Sequence, residues 1–151
     1  MRVPVWNECV ALILFFAIVG QSGCESHTSG VTQTSTKTRI EQLFNLYKSY
    51  VETKKKAPPN EQALREHAKE LTEQQLDDLL IGRDLESIFV SDRDNEPFQI
   101  AFGQMFKSGG EPVAIIHEKT GANGMKYVAL SIGYAEEYDE ETLQQYLPKK
   151  K

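Results

Sequence analysis

The chain has 151 residues with 17 Lys+Arg, 22 Asp+Glu, a formal net charge of -5 and 40% hydrophobic content, enough for one small acidic domain. At 26% charged residues and two cysteines it is neither a disordered acidic tail nor a disulfide-built miniprotein. The acidic balance argues against nucleic acid as the main partner, because non-specific affinity for phosphates is supplied by Lys and Arg.

Residues 1–23 have the three parts of a secretory signal peptide: a short polar start with Arg2, an apolar run from Val10 to Val19, and a small-residue exit Gly20-Gln21-Ser22-Gly23. At about 1.5 Å per residue the run covers about half of a ~30 Å hydrocarbon core. Extending it to the N-terminus would carry Asn7 and Glu8 into the membrane, so a permanent single-span anchor is the weaker reading.

Cys24 follows this exit directly, and Ser22-Gly23-Cys24 resembles the end of a bacterial lipobox, although Gln21 stands where such motifs carry an aliphatic residue. The resemblance implies cleavage before Cys24 and acylation of its sulfur. Cys9 leaves with the signal, so Cys24 is then the only cysteine, with no intramolecular partner for a disulfide. Two or three acyl chains on one residue meet the multi-chain requirement for stable anchoring. Ser and Thr dominate the stretch that follows, and residues 24–38 are expected to be the lipidated cysteine plus a flexible linker.

The folded domain is expected over 39–147, with a basic tail at 148–151. Thr38 and Glu41 have capping-box spacing, and Ile40, Leu43, Phe44, Tyr47, Tyr50 and Val51 predict one buried helical stripe. Lys54-Lys55-Lys56 and Ala57-Pro58-Pro59 close that helix. Asn60 caps a second helix through Leu64, Ala68 and Leu71. Thr72 and Gln75 cap a third through Leu76, Leu79, Leu80 and Ile81, with Gly82 as its stop.

One further helical turn is expected at Leu85, Ile88 and Phe89, and then turn formers from Ser91 to Pro97. Phe98, Ile100 and Phe102 alternate with Gln99 and Ala101 as in a half-buried strand. Strands over Pro112–His117 and Lys126–Ile132 are joined by a hairpin at Asn123-Gly124, both of which tolerate positive φ. Gly133 to Tyr138 adds an edge strand, and Asp139 caps a final helix with Leu143, Tyr146 and Leu147. The order predicts an α+β fold, N-terminal helices packed on a small antiparallel meander with a short C-terminal helix, and no βαβ units.

The stretch Ile88 to Gly103, followed by Pro112-Val113-Ala114-Ile115 and by Gly124-Met125-Lys126-Tyr127-Val128, resembles small uncharacterised lipoproteins of planctomycete-type bacteria. The resemblance implies an envelope lipoprotein and carries over no activity. Pseudopilins also place a helix before a small sheet, but they keep a long apolar helix after processing, and this chain continues into a Ser/Thr tract.

No catalytic set is expected. There is no Gly-x-Ser-x-Gly elbow and no phosphate loop, and His117 and Glu118 are adjacent on a strand and so face opposite ways, as surface residues beside the hairpin. His27, His67 and His117 lack metal-ligand spacing. Asp92, Asp94 and Glu96 alternate like calcium ligands, but Pro97 and Gly103 fall where an EF-hand needs Gly and Glu, which leaves a solvated turn as the expectation and a weak cation site as the residual one.

Tyr47, Tyr50 and Tyr127 are expected in the core rather than as a stacking platform. The lysine runs 54–56 and 149–151 suit an anionic surface, but helix-end complementarity and solubility account for them equally. The expectation is a non-catalytic, membrane-anchored envelope lipoprotein facing the periplasm or exterior. Its partner is another envelope protein, with no nucleic acid, metal, cofactor or identifiable small-molecule ligand. The alternative is a secreted soluble ligand-binding or enzymatic module.

Overall fold

A computed structural model describes residues 28–82, 84–106 and 109–149, with side chains from 35 onward. The segment 1–23 expected as a signal, with Gln21, Ser22 and Gly23, together with Cys24 and His27, lies outside the described residues. The fold is α+β. Three helices, α1 (Thr28–Lys54), α2 (Glu61–Glu70) and α3 (Glu73–Asp78), precede a 3-10 turn at Ser87–Phe89. Strands β1 (Gln99–Ile100), β2 (Ala114–His117), β3 (Met125–Leu130) and β4 (Ala135–Asp139) follow, and α4 (Glu140–Tyr146) comes last. The strands lie side by side in chain order, each antiparallel to its neighbour.

Local chemistry sets most boundaries. The Asn60 side chain accepts the Ala63 N–H at 2.9 Å, Thr72 and Gln75 form a reciprocal capping box, and the Asp139 carboxylate accepts the Thr142 N–H at 2.8 Å. Asn123 and Gly124 turn the β2–β3 hairpin with φ of 54° and 75°, the conformation their sequence predicts.

Two boundaries correct the sequence reading. Helix α1 begins at Thr28, so the tract expected as linker through 38 is largely helical, and Thr38 lies inside the helix. Ser35 donates to Asp92 and Thr36 is fully buried, so tertiary contact holds this Ser/Thr segment against its weak helix propensity. Helix α3 ends at Asp78, and its C-terminal turn is closed at Leu80 (φ 60°) rather than Gly82. Leu80 N–H bonds Asp77 O at 2.9 Å and Ile81 N–H bonds Leu76 O at 2.9 Å, the paired bonds of a Schellman ending.

The sheet has a cluster on each side. Ile115, Ile116, Tyr127, Ala129 and Ala135 pack with the α1 stripe Ile40, Leu43, Phe44, Tyr47, Tyr50 and Val51. Ala114, Val128 and Leu130 pack with Leu143 of α4 on the other side. The β2–β3 register shifts between Ala114 and Ile116, and this bulge sends both Ile115 and Ile116 to the α1 side. The tyrosines 47, 50 and 127 are core residues.

Tyr47 also clips the segment after β1 onto α1. Its hydroxyl donates to Gln104 O at 2.9 Å and accepts the Gln104 N–H at 3.2 Å, while Phe106 packs on the rings of Phe44 and Tyr47. Burial pushes the Tyr47 hydroxyl up to about 12, against the opposing pull of the Gln104 backbone bond.

Leu80 is 72% exposed and held in the left-handed region, which costs an L-residue with a Cβ about 1 kcal/mol. Leu80→Gly is expected to stabilise the domain by up to about 1 kcal/mol, a rise of a few degrees in Tm. Gly82→Ala, whose added Cβ meets nothing, is expected to leave Tm within about 1 °C of wild type. Thermal unfolding of the two variants checks both.

Candidate functional site

The densest polar chemistry is built from Ser91 to Glu96, a segment of turn formers joined to the core by its neighbours Phe89 and Phe98. Arg93 and Glu118 form its centre: Arg93 Nη2 lies 3.0 Å from Glu118 Oε2, with side chains 2% and 0% exposed. Glu118 Oε1 accepts the Ser91 hydroxyl at 2.6 Å, and Oε2 accepts the Tyr127 N–H at 2.8 Å. Arg93 also donates to Met125 O at 2.7 Å, pairs with Glu137 on β4, and lies 4.6 Å from the centroid of the Tyr127 ring.

The flanking acids point elsewhere. Asp92 takes Arg39 of α1 at 2.6 Å and the Ser35 hydroxyl. Asp94 accepts the backbone N–H groups of Gly121 at 2.8 Å, Thr120 at 3.0 Å and Glu96 at 3.1 Å. Burial pushes the Asp94 carboxyl up, but those amides and the Ser91 hydroxyl outweigh it and hold the group below its ordinary value. Glu96 pairs with Lys119 at 3.1 Å.

Two expectations are therefore corrected. The 92–96 segment is not a solvated turn, because Arg93 is buried and each neighbouring acid is engaged. Glu118 is not a surface residue beside the hairpin. Its position two residues after Ile116 carries the inward side of the strand one step past β2, and burial is tolerated because Arg93, Ser91 and a backbone amide satisfy it. That parity was the readable signal for Glu118; Arg93, in a turn, carried none. Asp92, Asp94 and Glu96 diverge to three separate partners, and no group of three metal-ligating side chains occurs among the described residues.

A second polar contact joins α1 and α2. Ser49 Oγ lies 3.1 Å from His67 Nε2, and Glu70 Oε2 lies 4.0 Å from His67 Nδ1, the order of a nucleophile, a base and an acid. The geometry does not serve catalysis. Lys54 holds Glu70 at 2.7 Å, the imidazole is 2% exposed with its ring edge-on to Tyr50, and Ser49 sits mid-helix, where neighbouring amides are committed to the helix and offer no oxyanion donors.

A cleft of about 620 Å³ opens between Gly103-Gln104, Glu111 to Val113 and the end of α4, Gln145 to Lys149. Among the described residues that line it there is neither imidazole, aliphatic hydroxyl nor thiol, and the one hydroxyl is the phenol of Tyr146. No helix among the described residues is long and apolar enough to cross a membrane. Comparisons with protein-family models, curated proteins and solved structures find no match to this chain.

The Arg93 cluster is a structural clasp, and removing one partner strands a buried charge. Arg93→Ala is expected to cost about 3–5 kcal/mol in urea unfolding, with strong coupling to Glu118→Gln in a double-mutant cycle. His67 and His117 supply an acid-sensitive element. Burial lowers both imidazoles below the ordinary 6.5, and nearby Lys54 and Lys126 respectively push the same way.

The unfolded chain therefore takes up protons near pH 6.5 that the folded chain refuses. The stability these residues contribute is full above that pH and is lost as pH falls below it toward the folded values. Unfolding free energy is expected to drop from pH 7 to pH 5, and His67→Gln to flatten that drop in part, read by urea denaturation at both pH values.

Proposed function

We propose that this chain is a lipid-anchored protein of the bacterial cell envelope, held by acylated Cys24, whose α+β domain binds another envelope component and performs no chemistry of its own. One observation supports the reading above others: the apolar run Val10–Val19, the small residues Ser22 and Gly23, and Cys24 are followed within four residues by Thr28, the first described residue of α1. An acyl-bearing cysteine so placed joins the lipid to the helix that forms one wall of the core. In a second reading, a soluble exported ligand-binding module, the open cleft of about 620 Å³ is where the ligand would sit.

The two part on a single measurement. Wild type and Cys24→Ala are labelled in cells with a fatty-acid analogue and followed through membrane fractionation. Label and membrane retention in the wild type, both lost in the variant, are the expected outcome. An unlabelled wild type with a mature N-terminus elsewhere would sink the anchored reading and leave the soluble one.

A further inference from the structure

The tether and the fold together fix which end of the domain meets the bilayer. Helix α1 runs the length of the sheet. Near its start, Ser35 and Arg39 hold Asp92, and Asp94 two residues on takes the amides of Thr120 and Gly121 in the β2–β3 turn. Farther along, Tyr47 holds Gln104, and the Ala101 N–H bonds Ile115 O at 2.7 Å, near the start of β2, where the Ser131 N–H bonds Val113 O at 2.8 Å. The β2–β3 turn therefore lies at the N-terminal end of α1, and the β3–β4 turn with exposed Ile132 and Tyr134 lies at the other end.

Reach decides between the two ends. Four residue steps separate Cys24 from Thr28 and span at most about 14 Å. Tyr47 stands nineteen residues along α1 from Thr28, about 28 Å at 1.5 Å per residue. A tether half that length cannot fold back to bring the β3–β4 turn to the anchor. The turn Thr120-Gly121-Ala122-Asn123-Gly124 carries no charge and is flanked by Lys119 and Lys126. Of the carboxylates beside it, Asp92 pairs with Arg39, Glu96 with Lys119, Glu137 shares Arg93 with Glu118, and Asp94 accepts three amides. The register Met125 opposite Asp139 also brings the acidic start of α4, Asp139, Glu140 and Glu141, to this end, where Glu140 takes Lys126 at 2.7 Å, so the orientation is set by reach and not by charge.

We propose that, with Cys24 acylated, the domain stands on the lipid surface on its β2–β3 turn, Thr120 to Gly124 against the headgroups, and presents the Ile132 and Tyr134 turn away from the membrane. The inference rests on the acylation reading above. It is tested with the full acylated protein, in which Cys24 is blocked, so an introduced cysteine is the single free thiol.

Thr120→Cys and Ile132→Cys, both at exposed positions, are labelled with a small fluorophore and placed in vesicles of phosphatidylethanolamine and phosphatidylglycerol containing a headgroup nitroxide quencher. Flotation with the vesicles is measured first. The label at position 120 is expected to lose most of its emission, and the label at 132 to keep nearly all of it. Flotation with equal quenching, or with stronger quenching at 132, overturns the orientation alone. Failure of the wild type to float overturns the acylation reading and this one with it.

Discussion

A single buried charge pair organises the described part of the molecule. Arg93 and Glu118 are both withdrawn from water, and the surrounding chain supplies further partners, the Ser91 hydroxyl, the Tyr127 amide, the Met125 carbonyl and the Glu137 carboxylate, leaving the Arg93 Nε–H as the buried donor without one. Desolvating two such ions costs several kcal/mol each, so the pair is weak evidence for stability and stronger evidence for uniqueness. The partners come from the turn before β1, the end of β2, β3 and β4. A shift of register in the β2–β3 or β3–β4 pairing would leave the arginine or the glutamate buried alone.

The flanking residues extend this constraint outward. Asp92 ties the same turn to α1, and Asp94 ties it to the β2–β3 hairpin, so three successive residues fasten three different parts of the fold. Apolar packing alone specifies register loosely where Ile115 and Ile116 follow each other through a bulge. The polar clasp sits just beyond that bulge and removes the ambiguity it leaves.

What was legible in the sequence was local. Asn60, the Thr72–Gln75 box, Asp139 and the Asn123-Gly124 turn act on neighbours within a few residues, and each boundary fell where its chemistry put it. The buried stripe of α1 followed from spacing in the same way. What escaped was decided at a distance: Ser35 is held by a residue 57 positions later, so composition alone read its segment as a linker.

Glu118 and the turn before β1 were read as exposed because each is polar, and neither reveals its partner locally. Leu80 took the left-handed position ahead of Gly82 because Ile81, 2% exposed, had to reach the core at that point. The proposed acylation at Cys24 is the reverse case, read from sequence order alone.

The order of elements also shapes how such a chain comes to fold. The strands pair with their sequence neighbours, so the meander closes short loops and can form early. Helix α1, by contrast, leads the chain and finds its main cover in a sheet that arrives last. A chain threaded N-terminus first across a membrane would leave the stripe from Ile40 to Val51 covered only in part, by α2 and the 3-10 turn, until β3 and β4 had followed. For that interval the apolar face of such a chain's α1 would be open to a holding chaperone, and the docking of the late sheet would end that exposure.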